Sequence, residues 1–179
     1  MSAGDVINRI RSVVRNSPPR KERVQLNAAI REVAAIMRGE AAKNHVSVRL
    51  HLGEDLPLVR GDRVQLQQVV MNLVLNAIEA MGVVDEFSRE LTISTRKNMS
   101  GSAVVSVSDT GPGISSAVGE HLFEPFFTTK DAGMGIGLAI CQSILDVHGG
   151  QLRVFANVPR GAVFEFVLPR SLDITPGLA

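Results

Sequence analysis

The 179-residue chain has no tryptophan, no tyrosine and a single cysteine. Any aromatic stacking on a ligand therefore falls to its seven phenylalanines, and no internal disulfide can form. The lone Cys141 stands in Ile140-Cys141-Gln142-Ser143-Ile144, a helical pattern in which it reads as a small core residue. An excess of one charge is also missing: 19 Lys and Arg against 18 Asp and Glu leave a formal net charge of +1. That balance gives no bulk attraction to nucleic acid or to a membrane surface, and neither is expected as a partner. No apolar run reads as a bilayer span and no secretory signal opens the chain, which fits a cytoplasmic setting. What is present is an ordinary globular balance, 45% hydrophobic and 21% charged, at a length suited to one α/β domain with a sizeable core.

Residues 5–15 place Val6, Ile7, Ile10, Val13 and Val14 on one helical face, and Asn16-Ser17-Pro18-Pro19-Arg20 stops it. The piece reads as the end of a longer helix plus a linker over 1–20. A helix capped by Asn27 is expected next, with Ile30, Val33, Ala34 and Met37 as its apolar face. Residues 46–52 alternate and predict a strand. Asp62 then caps a long helix, with Gln65 three residues on as in a capping box. Strands are predicted over 91–97 and 103–109. The Gly-, Thr- and Pro-rich stretch 110–135 reads as a mobile segment with one short helix. A helix over 136–148 ends at Gly149-Gly150, and 151–156 with 162–168 read as a hairpin. One domain over 21–170 with a frayed tail over 171–179 is expected. Helices mixed with mainly antiparallel strands predict an α/β (α+β) two-layer sandwich, with helices on one face of a mixed sheet.

Four motifs carry chemistry. In the run 69–81, Asn72 and Asn76 lie four residues apart on one helical face and Glu79 continues the stripe. The other faces are Val, Leu, Ile, Met and Ala, so the helix should be buried nearly all round, and a polar stripe there needs partners. A solvated face is the bland alternative, but such faces favour Lys, Glu and Gln over the poor helix former Asn. Next comes Asp109-Thr110-Gly111-Pro112-Gly113-Ile114 at a strand end. A carboxylate there can accept from an exocyclic amine while the glycines admit a ligand close to the backbone. An Asp-initiated turn explains the same residues. Phe123-Glu124-Pro125-Phe126-Phe127-Thr128-Thr129-Lys130 offers aromatics to pin a loop and Thr and Lys to meet phosphate, or is a surface loop with a basic end. In Gly133-Met134-Gly135-Ile136-Gly137-Leu138 a Gly-rich turn opens a helix and presents backbone N–H groups to an anion. Alone that spacing is weak, and it fits neither a dinucleotide fingerprint nor a P-loop.

In this order, the four motifs resemble the N, G1, F and G2 boxes of the catalytic, ATP-binding domain of bacterial sensor histidine kinases. His148-Gly149-Gly150 and Phe164-Glu165-Phe166-Val167-Leu168-Pro169 also look like this family, and the likeness covers about residues 24–170. Thr128-Thr129-Lys130 and the helix through Met81 look most like its nitrogen- and oxygen-responsive, often PAS-linked branch. The resemblance implies a Bergerat-type fold with ATP and Mg²⁺ as cofactors and a flexible lid. It gives Asp109 the adenine amine and Asn76 the Mg²⁺. Asn72 falls beside the phosphates and Lys130 at the γ-phosphate. Gly135 and Gly137 offer N–H groups to the phosphates, and Gly111, Gly113, Ile114, Thr128, Thr129, Gly133 and Leu138 complete the nucleotide site. The chain departs from many relatives at Ala162, where they carry Ser or Thr, and at Ala80, where some carry an aromatic.

Related hydrolytic ATPases and anti-sigma serine kinases place a Glu general base where this chain has Asn72, and a neutral amide cannot accept that proton. A histidine acceptor needs less help, so position 72 favours transfer to His. A non-catalytic nucleotide-sensing module is the other alternative. None of His45, His51, His121 and His148 has the surroundings of a phosphoacceptor, and each reads as structural or surface. The acceptor is therefore expected on a dimerisation domain upstream, with a response regulator receiver domain as the further partner. By itself the chain is expected to be a monomer.

Overall fold

The apolar run behind Asp62 forms the central helix of the molecule. A computed structural model describes residues 21–115, 122–123 and 136–171. Among them the order is β1 (Glu22–Val24), α1 (Leu26–Lys43), β2 (Ser47–Leu52), β3 (Val59–Gly61), α2 (Arg63–Ala80), β4 (Glu90–Lys97), β5 (Ala103–Asp109), α3 (Gly137–Val147), β6 (Gln151–Ala156) and β7 (Ala162–Leu168). Five strands form one sheet in the order β2-β4-β5-β7-β6. β2 runs parallel to β4 and every other pair is antiparallel. β1 and β3 make a separate two-stranded ribbon. The helix stop 1–20 and the tail from 172 lie outside the described residues.

One face of the sheet carries the core. Leu91 and Ile93 of β4, Val105 and Val107 of β5, and Phe164, Phe166 and Leu168 of β7 alternate inward. They meet buried residues of α1, α2 and α3 in one cluster. This is the expected two-layer sandwich. α2 lies in the middle of the helical layer, flanked by α1 and α3. Its composition would suffice to cross a membrane, but its apolar residues from Leu66 to Ile78 are buried in this core.

Helix ends decide how the layer is held. Asp62 caps α2 by accepting the Gln65 N–H at 3.0 Å. The reciprocal half of a capping box is replaced: the Asp62 N–H donates to Nε2 of His148 at 2.9 Å. Nδ1 of the same ring lies 2.7 Å from the Ile144 carbonyl in the last turn of α3. Those partners select the tautomer with its proton on Nδ1. His148 is thus a buried structural residue that ties the start of α2 to the end of α3. A Cβ on Gly61 would lie 2.3 Å from its Cδ2, so glycine admits the ring. Beyond His148 the helix closes in a Schellman motif. The Gly149 N–H reaches Asp146 O, the Gly150 N–H reaches Leu145 O, and Gly149 takes φ 69°.

Asn27 does not cap α1, whose preceding residue Gln25 makes no capping bond. Its amide instead donates to Gly53 O at 2.7 Å and accepts from Thr95 Oγ1 at 2.8 Å, joining α1 to the ends of β2 and β4.

Replacing His148 by Phe keeps the volume but removes both contacts. The expected cost is about 1–3 kcal/mol, the scale of leaving buried hydrogen-bonding groups unpaired. A urea titration reads it as a lower midpoint at unchanged slope. An unchanged midpoint would show the two bonds to be idle.

Candidate functional site

Every residue of α2 from 68 to 78 is buried except Asn72 and Asn76, which are half-buried. The two amides therefore form the polar stripe expected of them, in a helix otherwise enclosed. Asn72 Nδ2 donates to the Gly137 carbonyl at 3.4 Å, in the first turn of α3. It also hydrogen-bonds the thiol of Cys141, which is fully enclosed. Burial pushes that thiol up to about 12, and the bond from Asn72 only partly offsets this. Cys141 is a core residue with no thiolate chemistry at neutral pH.

Eight residues beyond Asn72, at the C-terminal end of α2, Ala80 backs the turn after β5. A Cβ on Gly111 would lie 2.9 Å from Asp109 Oδ1 and 3.4 Å from the main chain of Ala80, so only glycine lets turn and helix end approach this closely. Asp109 is 2% exposed, the one carboxylate buried to this extent among the described residues. Its Oδ1 accepts the Gly111 N–H at 2.8 Å and the Ala162 N–H at 3.2 Å. A buried carboxylate held by backbone donors keeps a fixed orientation, and a carboxylate has acceptor sites for further donors. Gly113 takes φ 83° beside the Gly161 carbonyl, and Ile114 packs against the core.

Gly137 begins α3, and among the described residues nothing lies within 4 Å of where its Cβ would be. Open space beside the first N–H groups of a helix is what an anion requires. Leu138 is half-buried next to it, against the core. The structure thus brings Asn72 to the start of α3 at Gly137, next to Leu138, with Asn76 one helical turn further along α2, and groups Asp109, Gly111, Gly113 and Ile114 in and after the end of β5. Thr128, Thr129, Lys130, Gly133 and Gly135 lie outside the described residues, as does most of the expected lid.

Among the described residues no group of His, Cys, Asp and Glu is placed to cage a metal. Asn76 offers one neutral amide oxygen. That donor suits Mg²⁺ carried on nucleotide phosphates and waters, and does not suit a metal bound by protein alone.

Sequence reasoning passed over Thr110 and the β6–β7 turn. Thr110 Oγ1 accepts the Glu90 N–H at 2.9 Å and donates to the Ser88 carbonyl, fastening the connection from α2 to β4 beside Asp109. From the turn, Asn157 Nδ2 donates to the main-chain carbonyl of Asp109 at 2.7 Å. A hairpin was legible there, but nothing in its spacing pointed to a contact 48 residues away.

Comparison with known proteins follows the same residues. The family described as histidine kinase-, DNA gyrase B-, and HSP90-like ATPase matches residues 61–172. Sensor protein FixL of Bradyrhizobium diazoefficiens is 40% identical over 94% of this chain, which spans 33% of that protein. Sensor histidine kinase TmoS of Ectopseudomonas mendocina is 38% identical, again over 94% of this chain and 18% of its own length. The chain thus spans a third or less of these two relatives. Among solved structures, the nucleotide-free catalytic domain of histidine kinase ThkA superposes with a TM-score of 0.74 at 37% identity, over 84% of this chain and 96% of that one. ThkA in complex with the response regulator TrrA gives 0.74 at 32% identity, over 94% and 47%. Full-length ShkA in complex with AMPPNP gives 0.73 at 27% identity, over 83% and 31%. By the family match over residues 61–172 and the likeness to the ThkA catalytic domain, this chain belongs to the ATP-binding catalytic domains of the sensor histidine kinases.

Proposed function

We propose that this domain transfers the γ-phosphoryl group of Mg-ATP to a histidine on a dimerisation domain of the same kinase, from which a response regulator receiver domain takes it. The observation that carries the reading is the layout along α2. Gly111 packs against Ala80 at the C-terminal end, Asn72 reaches Gly137 near the middle, and eight helical residues separate them by about 12 Å. That is the scale of a nucleotide laid along the helix, adenine at Asp109 and phosphates at the start of α3. Asp109 accepts the adenine amine. The α3 N-terminus, with Gly133 and Gly135 before it, receives the phosphates, and Thr128, Thr129 and Lys130 belong to the same site with Lys130 on the γ-phosphate. Asn76 holds Mg²⁺, which when bound neutralises phosphate charge.

Asn72 separates this reading from the hydrolytic relatives. Its NH₂ donates to the Gly137 carbonyl, and a carboxylate there would face that carbonyl lone pair to lone pair. The position suits an amide and supplies no base for water or serine. An imidazole brings its own lone pair. In this reading the acceptor-bearing helices dock on one face of α3. Ile136 at the cap of α3, Ile140, Ser143, Ile144 and Val147 within it, and Gln65 of α2 line an open, mainly apolar groove of about 460 Å³. A cytoplasmic setting and a monomeric state for the isolated domain are part of the proposal.

The test supplies the dimerisation domain as a separate polypeptide with γ-labelled ATP. Acid-labile, base-stable label on that polypeptide and none on this chain is the expected result. Transfer needs the acceptor nitrogen held close to the phosphorus, which this chain alone cannot arrange. Label on one of its own histidines, or brisk ATP hydrolysis without the partner, would overturn it.

A further inference from the structure

The β5–β7 ladder ends one residue short of the adenine carboxylate. Ser108 pairs with Val163, and there the register stops. The next N–H of β7, that of Ala162, turns to the side chain of Asp109. The main-chain carbonyl of Asp109 takes a side-chain donor in its place, Nδ2 of Asn157 at 2.7 Å. The rest of Asn157 is fixed as well. Its own N–H donates to Gly161 O at 2.9 Å, and its Oδ1 accepts the Val158 N–H at 3.0 Å. One end of the amide faces a carbonyl and the other an N–H, so its orientation is set by its partners. Gly161 lets the turn lie this close: it takes φ 102°, and a Cβ there would sit 1.9 Å from Asp109 O.

We propose that Asn157 is a positioning residue for nucleotide selectivity, holding the main chain of Asp109 so that its carboxylate meets a purine 6-amino group. The inference rests on the adenine reading of Asp109 and goes beyond it by naming the residue that aims the carboxylate. The Oδ1 donors, Gly111 and Ala162, fix one oxygen. Asn157 fixes the peptide from which the side chain springs. Hydrogen bonds weaken steeply with misalignment, so a freed peptide lowers the strength of the bond to the amine without removing it. Among the described residues no hydrogen bond joins the phosphate end, at Asn76 and Gly137, to the β6–β7 turn, so the effect should fall on the base alone.

The test compares ATP with purine riboside triphosphate, which lacks the 6-amino group, by calorimetry on the whole chain. Wild type should prefer ATP, and Asp109→Asn should abolish the preference. Asn157→Asp keeps an acceptor for the Val158 N–H, and hence the turn, but loses the donor to Asp109. Asn157→Ala loses both. Each should lower the ATP preference about three- to tenfold, the scale of one neutral hydrogen bond. Asn157→His, with an Nδ1–H near the position of the Asn donor, should restore most of it. An unchanged ATP preference in the Asp and Ala variants, or equal losses for both nucleotides, would overturn the role of Asn157. A wild type without preference would overturn the adenine reading itself, and the inference with it.

Discussion

Asp109→Asn should weaken ATP binding by about ten- to a hundredfold, the scale of a hydrogen bond to a charged group. The two backbone donors on Oδ1, Gly111 N–H and Ala162 N–H, can be accepted by an amide oxygen as well as by a carboxylate. Once that oxygen is committed to them, the amide turns its NH₂ toward the ligand, and donor meets donor at the adenine amine. Affinity should fall while thermal stability changes little. Calorimetry with ATP and a melting curve on the same sample check both halves. Wild-type affinity would remove the adenine from Asp109. A fall in affinity matched by unfolding would instead make the carboxylate a structural group.

The same residue shows where the sequence was legible and where it was not. Asn72, Asn76 and Asp109 stand out because each breaks a strong local rule: Asn within an apolar helix, and Asp ending a strand of buried Val. The core strands β4, β5 and β7 were legible for the converse reason, since alternation of period two is a local signal. β1 and β3 were not. Each is three residues long and has strand geometry only because the other lies beside it, Val24 against Val59. The same holds for the parallel direction of β2, which its pairing with β4 decides. Asn27 and Gln65 were misread where a distant partner outbid a local one. Thr95 and Gly53 take the Asn27 amide, and His148 takes the N–H that a capping box would give to Gln65. His148 and Asn157 look ordinary in sequence because their partners lie 86 and 48 residues away. A motif thus marks residues that break a local rule, whereas the groups that hold them in place belong to the tertiary fold.

Asn76→Ala should reduce transfer to a supplied dimerisation domain on the order of a hundredfold or more, as removal of one preorganised electrostatic contact does elsewhere. Phosphoryl transfer asks for positioning and charge neutralisation more than for covalent chemistry, so a single misplaced oxygen ligand weighs heavily. Stability should not fall with it. Asn76 is half-buried on α2 between the enclosed Leu75 and Ala77, and Ala is the better helix former by roughly half a kcal/mol. The neighbouring tie from Asn72 to Gly137 remains to hold α2 against α3. Affinity measured with and without Mg²⁺ separates a metal role from a packing role. In wild type the ion should strengthen ATP binding. In the variant that increment should vanish, while ATP without the ion binds as before, because Asp109 is untouched. An intact increment together with normal transfer would move the metal away from Asn76. An equal loss of affinity with and without the ion would show that the side chain shapes the pocket and holds no metal.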